Sequence, residues 1–131
     1  MKKVKVISVA LFSSVLIAAG ASPASASSGW DYVGASDFSY RDIDLHEWFT
    51  KYHLSTGGDF MACVTRTPEA HNYSLWEYDA SASKRVATRT TSHGCLVFKN
   101  IGKLVDGDNH RAEFMISTTN PEGTATVAFY D

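Results

Sequence analysis

The chain is poor in the residue patterns that announce chemistry. It holds only two cysteines and three prolines in 131 residues. No Cys-x-x-Cys, His-x-His or His-Glu-x-x-His spacing occurs, so the common zinc signatures, which need three or four convergent ligands, are missing. No Gly-x-Ser-x-Gly occurs either, which removes the strand–turn–helix nucleophile of the α/β-hydrolases. Positive charge is scarce: 12 Lys and Arg stand against 14 Asp and Glu, a formal net charge of −2. Three of those cations (Lys2, Lys3 and Lys5) crowd the extreme N-terminus, so the rest of the chain is more acidic still. That balance argues against broad affinity for nucleic acid or anionic membranes. What is abundant is apolar and aromatic surface, 44% and 12% of residues, enough to offset chain entropy and exclude disorder.

The N-terminal cations precede a nearly unbroken apolar stretch from Val4 to Ala19. Ala24-Ser25-Ala26 then supplies the small residues a signal peptidase requires, with Pro23 stopping any helix just upstream. This predicts a signal peptide at residues 1–26 and a secreted domain at residues 27–131, with one core. The apolar stretch is short for a transmembrane anchor. No cysteine follows it to carry a lipid, and Tyr130-Asp131 closes the chain without an apolar tail. The expected product is extracellular and released, with no stable membrane insertion after cleavage. The leader favours a bacterial, Gram-positive source.

Cys63 and Cys95 both lie in the exported part, where two thiols oxidise. A structural disulfide between them is expected, stabilising the fold by about 3.5–4 kcal/mol through loop closure. From Trp30 onward the dominant hydrophobic period is two. Phe60, Ala62 and Val64 share a parity, as do Ala112, Phe114 and Ile116, and Ala125, Val127 and Phe129. Trp48, Tyr52 and Leu54 share one within the run Leu45–Leu54. Turn signals separate the runs, among them Gly57-Gly58, Ser92-His93-Gly94 and Asn120-Pro121-Glu122-Gly123. Seven or eight short strands at this spacing predict an antiparallel β-sandwich, jelly-roll-like, with at most a single helical turn at 101–105. If Phe60 and Val64, and Leu96 and Phe98, face the core, both cysteines face away from it. The bridge then joins two paired strands on an outer face rather than crossing the core.

From Asp59 to Asp131 the chain reads "GDFMACV", "YSLWEYDASASKRVAT", "CLVFKNI", "RAEFMIST" and "TATVAFYD". This cadence resembles the small jelly-roll modules that accompany secreted bacterial peptidases, the pre-peptidase C-terminal and collagen-binding types. Tyr78-Asp79 matches their "LYD" strand end. Asn109-His110-Arg111 stands where those modules carry a glycine before a Tyr-Tyr-rich strand, and the cysteine pair is not part of their pattern. The resemblance implies binding rather than catalysis.

Candidate sites are few. Five histidines (His46, His53, His71, His93 and His110) are many for this length. A hydrolase using His46-Glu47 with His93 or His110 is conceivable, but adjacent strand residues point to opposite faces. Asp42 with Asp44, and Glu77 with Asp79, could pair as glycosidase carboxylates, although solvated strand charges are the simpler reading. Asp106-Gly107-Asp108-Asn109 is the most ligand-like loop. Asp106, Asp108 and Asn109 could hold calcium around the bend that Gly107 allows, though no EF-hand glutamate follows. Otherwise no cofactor is expected. Aromatic residues are the remaining resource. Trp76 and Tyr78 share a face opposite Tyr73 and Leu75, and with Trp30 and Trp48 they are the candidate ligand-binding aromatics.

The expectation is a secreted, non-enzymatic binding protein for an extracellular glycan or a secreted protein. The first alternative is an antagonistic protein, either a bacteriocin-like toxin or a protease inhibitor presenting Thr67-Pro68 or His71-Asn72. The second is a small hydrolase using the histidines.

Overall fold

Alternating apolar residues in short runs bury one face of each strand, and two such faces closing on one another make the core. In the computed structural model, which describes residues 29–131, ten strands do this. They are β1 (Tyr32–Asp37), β2 (Tyr40–Asp42), β3 (Glu47–Phe49), β4 (His53–Ser55), β5 (Phe60–Val64), β6 (His71–Glu77), β7 (Lys84–Thr91), β8 (Gly94–Phe98), β9 (Ala112–Thr118) and β10 (Thr126–Tyr130). One 3-10 turn, Ile101–Leu104, is inserted before β9. The signal peptide expected at 1–26 lies outside the described residues. Among the described residues no helix is long and apolar enough to cross a membrane.

The strands form two antiparallel sheets. The smaller has the order β1-β10-β5-β8; the larger has the order β2-β3-β9-β6-β7, with β4 also pairing β9. The sandwich is therefore as expected, and the predicted parities are the core. Phe60, Ala62, Phe114, Ile116, Val127 and Phe129 are fully buried between the sheets, together with Tyr73 and Leu75 of β6. Burying a side chain of the Phe or Leu class contributes about 1.5–3 kcal/mol, so this inward face carries most of the folding free energy.

Two details differ from the sequence reading. There are ten strands rather than seven or eight, because the N-terminal segment contributes β1 and β2 and the run Leu45–Leu54 breaks in two. Thr50 causes the break. Its N–H donates to the Ile116 carbonyl and its Oγ1 accepts the Ile116 N–H, both at 3.0 Å. A side chain thus takes a ladder position, and the chain leaves β9 before rejoining it at Phe114 as β4. The shared parity of Trp48, Tyr52 and Leu54 is lost with it. Trp48 packs against the core, whereas Tyr52 and Leu54 are exposed.

Cys63 and Cys95 form the disulfide. They stand directly opposite one another on the paired strands β5 and β8, with Ala62, Val64 and Phe98 turned to the core. The bridge is on the outer side, as the parities required.

On the opposite edge, β1 lies close over β4. Gly34, at φ +148°, packs its backbone on the His53 ring, and a Cβ there would come within 2.7 Å of Nδ1. His53 stacks on Phe129 at 4.2 Å. Burial holds its pKa below the ordinary 6.5, partly offset by a hydrogen bond with the Val33 backbone.

Two outcomes follow from this packing. The double variant Cys63→Ala/Cys95→Ala should lose about 3–4 kcal/mol in urea denaturation. Because unfolded His53 binds a proton more readily than folded His53, its contribution is complete above about pH 6.5 and declines as pH falls toward the folded value. Denaturation midpoints followed from neutral to mildly acidic pH should fall more steeply for the wild type than for His53→Phe.

Candidate functional site

The same alternation that buries Tyr73 and Leu75 turns Trp76 outward. On the outer face of the larger sheet it meets Phe49 of β3, which the register places opposite Ser117 of β9. Trp76 itself sits opposite Met115. The rings form a chain of three and a separate stacked pair. Phe49 and Trp76 are 5.5 Å apart at 59°, Tyr40 and Phe49 are 6.3 Å apart at 54°, and Tyr52 stacks on Tyr78 at 4.9 Å and 10°. Together with Met115 they line a cleft of about 430 Å³.

A polar network holds the floor of this cleft. Trp76 Nε1 donates to Ser117 Oγ at 2.8 Å, and Ser117 Oγ donates to Glu47 Oε2 at 2.5 Å. Arg85 Nη2 donates to Glu47 Oε1 at 2.8 Å, and its guanidinium lies 4.7 Å from the Trp76 ring centre. Glu47 is buried, and both of its carboxylate oxygens are partnered, one by Arg85 and the other by Ser117. The indole is thereby fixed at both its N–H and one face.

Beyond Tyr52 and Tyr78 the cleft passes into a second, polar pocket of about 270 Å³, lined also by Glu77, Asp79, Asp106 and Glu113. Burial raises the Glu77 pKa first, and Asp106, Asp79 and Glu113 raise it further against the opposing pull of Lys84. Asp79 is fully exposed, and its pKa is lowered by hydrogen bonds from Ser81.

Of the aromatic residues singled out in the sequence, Trp76 and Tyr78 belong to this cleft, and Trp30 and Trp48 do not. Trp48 donates its Nε1 to the Pro121 carbonyl at 3.3 Å and packs under Gly123, where a Cβ would sit 3.0 Å from the indole. Trp30 lies beside Gly57, Gly58 and Asp59. Tyr40, Phe49, Tyr52, Glu47, Arg85 and Ser117 were not singled out as binding residues. The outward parity of Glu47 and Phe49 was a usable signal, hidden by the break at Thr50.

The other candidates are dispersed. Asp106 pairs with Arg111 in an isolated bridge, and the Asn109 amide is engaged by Glu113 and by the Arg111 N–H. Asp108 is exposed. His46 and His110 occupy positive-φ positions on separate turns, His93 bonds Ser92, and His53 lies under Gly34. No group of three His, Cys, Asp or Glu residues able to hold a metal occurs among the described residues. Thr67 is buried and bonded to the Glu69 and Ser92 carbonyls, while His71 and Asn72 are paired within β6. Pro68 and Glu69 are exposed in the loop between β5 and β6.

Fold and site together define a small disulfide-bridged β-sandwich with an aromatic cleft on the outside of its larger sheet. Residues 32–129 match the family model described as YndA coiled coil domain, and the chain belongs to that family. It is 34% identical over 106 residues to the uncharacterized protein YndA of Bacillus subtilis (strain 168), covering 78% of this chain and 74% of that protein. A coiled coil needs an apolar repeat of about 3.5 residues. Over the matched residues the period is two, and the structure is strands throughout apart from turns, loops and the 3-10 turn.

Ser117→Ala should leave both Trp76 Nε1 and Glu47 Oε2 without that partner, costing about 1–3 kcal/mol in urea denaturation. An unchanged midpoint would remove the network from any account of how the cleft is held.

Proposed function

We propose that this protein is an exported, non-catalytic binding module whose outer-sheet cleft takes an extracellular glycan. One observation carries the reading: of the large hydrophobic side chains exposed among the described residues, three tyrosines and a leucine line a single cleft, whereas Tyr32, Ile43, Leu54 and Val97 lie outside it. Tyr40, Leu45, Tyr52 and Tyr78, exposed by 62, 43, 50 and 41%, all line this one cleft. Leaving such surface in water is a cost that a ligand removes. Ring faces of tyrosine and tryptophan present flat apolar area with few rotors to freeze, which suits the apolar face of a pyranose. Asp42, Lys51 and Ser83 at the rim supply polar groups for hydroxyls.

The disulfide supports the extracellular setting, since such bonds persist in oxidising compartments. The resemblance of residues 59–131 to peptidase-associated jelly-roll modules, which bind rather than cleave, supports the same reading.

The test is co-sedimentation of the oxidised protein with bacterial cell walls and insoluble polysaccharides. Saturable pelleting is expected. Tyr52→Ala and Tyr78→Ala should each weaken it by about five-fold, the equivalent of about 1 kcal/mol for one ring. Tyr32→Ala, an exposed ring on the smaller sheet, should leave it unchanged. Failure to pellet on every glycan surface would overturn the proposal.

A further inference from the structure

The smaller sheet also has an outer face, and its chemistry is different. Cys63 and Cys95 stand opposite one another there on β5 and β8, with Cys95 exposed and Cys63 half-buried. Two residues along β5, β8 and β10, the register sets Tyr32, Tyr130, Met61 and Val97 side by side across all four strands. Tyr32 and Val97, the ends of that row, are exposed by 48 and 37%, and the Tyr32 and Tyr130 rings meet edge to face at 5.7 Å. We propose that this face is the docking surface of a dithiol protein, a thiol–disulfide oxidoreductase with paired cysteines, which exchanges electrons with the Cys63–Cys95 bridge while the domain stays folded. The site is separate from the aromatic cleft, and its failure would leave the glycan reading untouched.

The bond is within reach of a nucleophile. Exchange needs a thiolate at one sulfur, and exposed bridges are the ones that exchange. β5 is an inner strand, with Ala128 of β10 beside Cys63 on the side away from Cys95. β8 is the last strand of its sheet, so beyond Cys95 the sheet ends. The incoming thiolate therefore meets the Cys95 sulfur. A bond between the partner's sulfur and Cys95 forms as the Cys63–Cys95 bond breaks. The electron pair leaves on the Cys63 sulfur, which takes a proton from water. The partner's second thiolate then attacks its own sulfur in the mixed disulfide and releases Cys95, which is protonated in turn. The bridge gains two electrons and two protons, and the partner's dithiol becomes a disulfide. The reverse sequence makes the bond in a reduced chain, whose strand register already sets the two thiols opposite one another.

The surroundings suit a protein rather than a small thiol. β5, β8 and β10 contain no charged residue, whereas β7, an edge strand of the larger sheet, carries Lys84, Arg85 and Arg89. Charges on an edge strand deter pairing with other chains, and β8 has none. Its free main chain gives a partner an edge to pair with, and Tyr32, Tyr130 and Val97 give it apolar surface to bury. The fitting partner presents an apolar, uncharged rim around its own cysteines.

The experiment follows reduction of the oxidised protein by mass after alkylation of free thiols, with dithiothreitol and reduced thioredoxin as probes. Dithiothreitol should cleave the bridge at a rate that does not change with urea below the unfolding transition, because the folded state reacts. A rate that climbs with urea as the unfolded fraction does would overturn the proposal. Thioredoxin lacking its second cysteine should be trapped mainly on Cys95, and trapping mainly on Cys63 would overturn the geometry of attack. Val97→Lys should slow thioredoxin about five-fold and leave dithiothreitol within about two-fold. Val97→Ser, which adds no charge, should act in the same direction and answers the question if the lysine variant does not fold. Equal effects on both probes, or on neither, would overturn the docking face.

Discussion

β9 is the strand on which the rest of the molecule depends. It is paired along one side by β6 and along the other by β3 and then β4, so its two faces must serve two purposes at once. Ala112, Phe114 and Ile116 seal the core, while Met115 and Ser117 underlie the aromatic cleft. Strict alternation along seven residues makes this possible, because successive side chains leave a pleated strand on opposite sides. A one-residue slip would send Phe114 to the surface and Ser117 into the core.

The two sheets divide the work. The smaller one is closed by the Cys63–Cys95 bridge between β5 and β8 and faces β9 through Phe60 and Phe129. Its stability comes from inward burial and a covalent tie on the outside. The larger sheet buries its inner face equally well, but on its outer face it also hides Glu47, Ser74 and Ser117. Each of these is satisfied by a named partner: Arg85 and Ser117 for Glu47, Thr88 for Ser74, and Trp76 and Glu47 for Ser117. Without those partners, burying these polar groups would be costly. The network therefore fixes the Trp76 indole at its N–H and on one face.

Much of the fold could be read from period and composition. The parities of β5, β9 and β10 identified the core, and the parities around Cys63 and Cys95 placed the bridge on an outer face. The site was less legible. Trp76 and Tyr78 were found because both lie near the end of one strand, at the spacing of two that puts them on one face. Phe49 and Tyr52 were not, because Thr50 inserts a hydroxyl into the ladder and shifts the parity between them. Such a side-chain-for-backbone exchange leaves no mark in hydrophobic patterning. Trp48 was placed with the binding aromatics, yet it seals the sandwich edge against Gly123. A tryptophan's type says that it buries area, not against what.

The sequence by itself determined the class of the structure. Its period of two and its turn residues leave a β-sandwich as the way to bury these apolar faces, and its two cysteines leave one pairing. The tertiary structure decided which residues separated along the chain share a surface. Tyr40, Phe49, Tyr52, Trp76 and Tyr78 become one cleft, and Glu77, Asp79, Asp106 and Glu113 become its acidic extension. The reason is geometric. Alternation fixes which side of a strand a residue takes, but only the order and register of β3, β9 and β6 fix which residues of other strands it meets there.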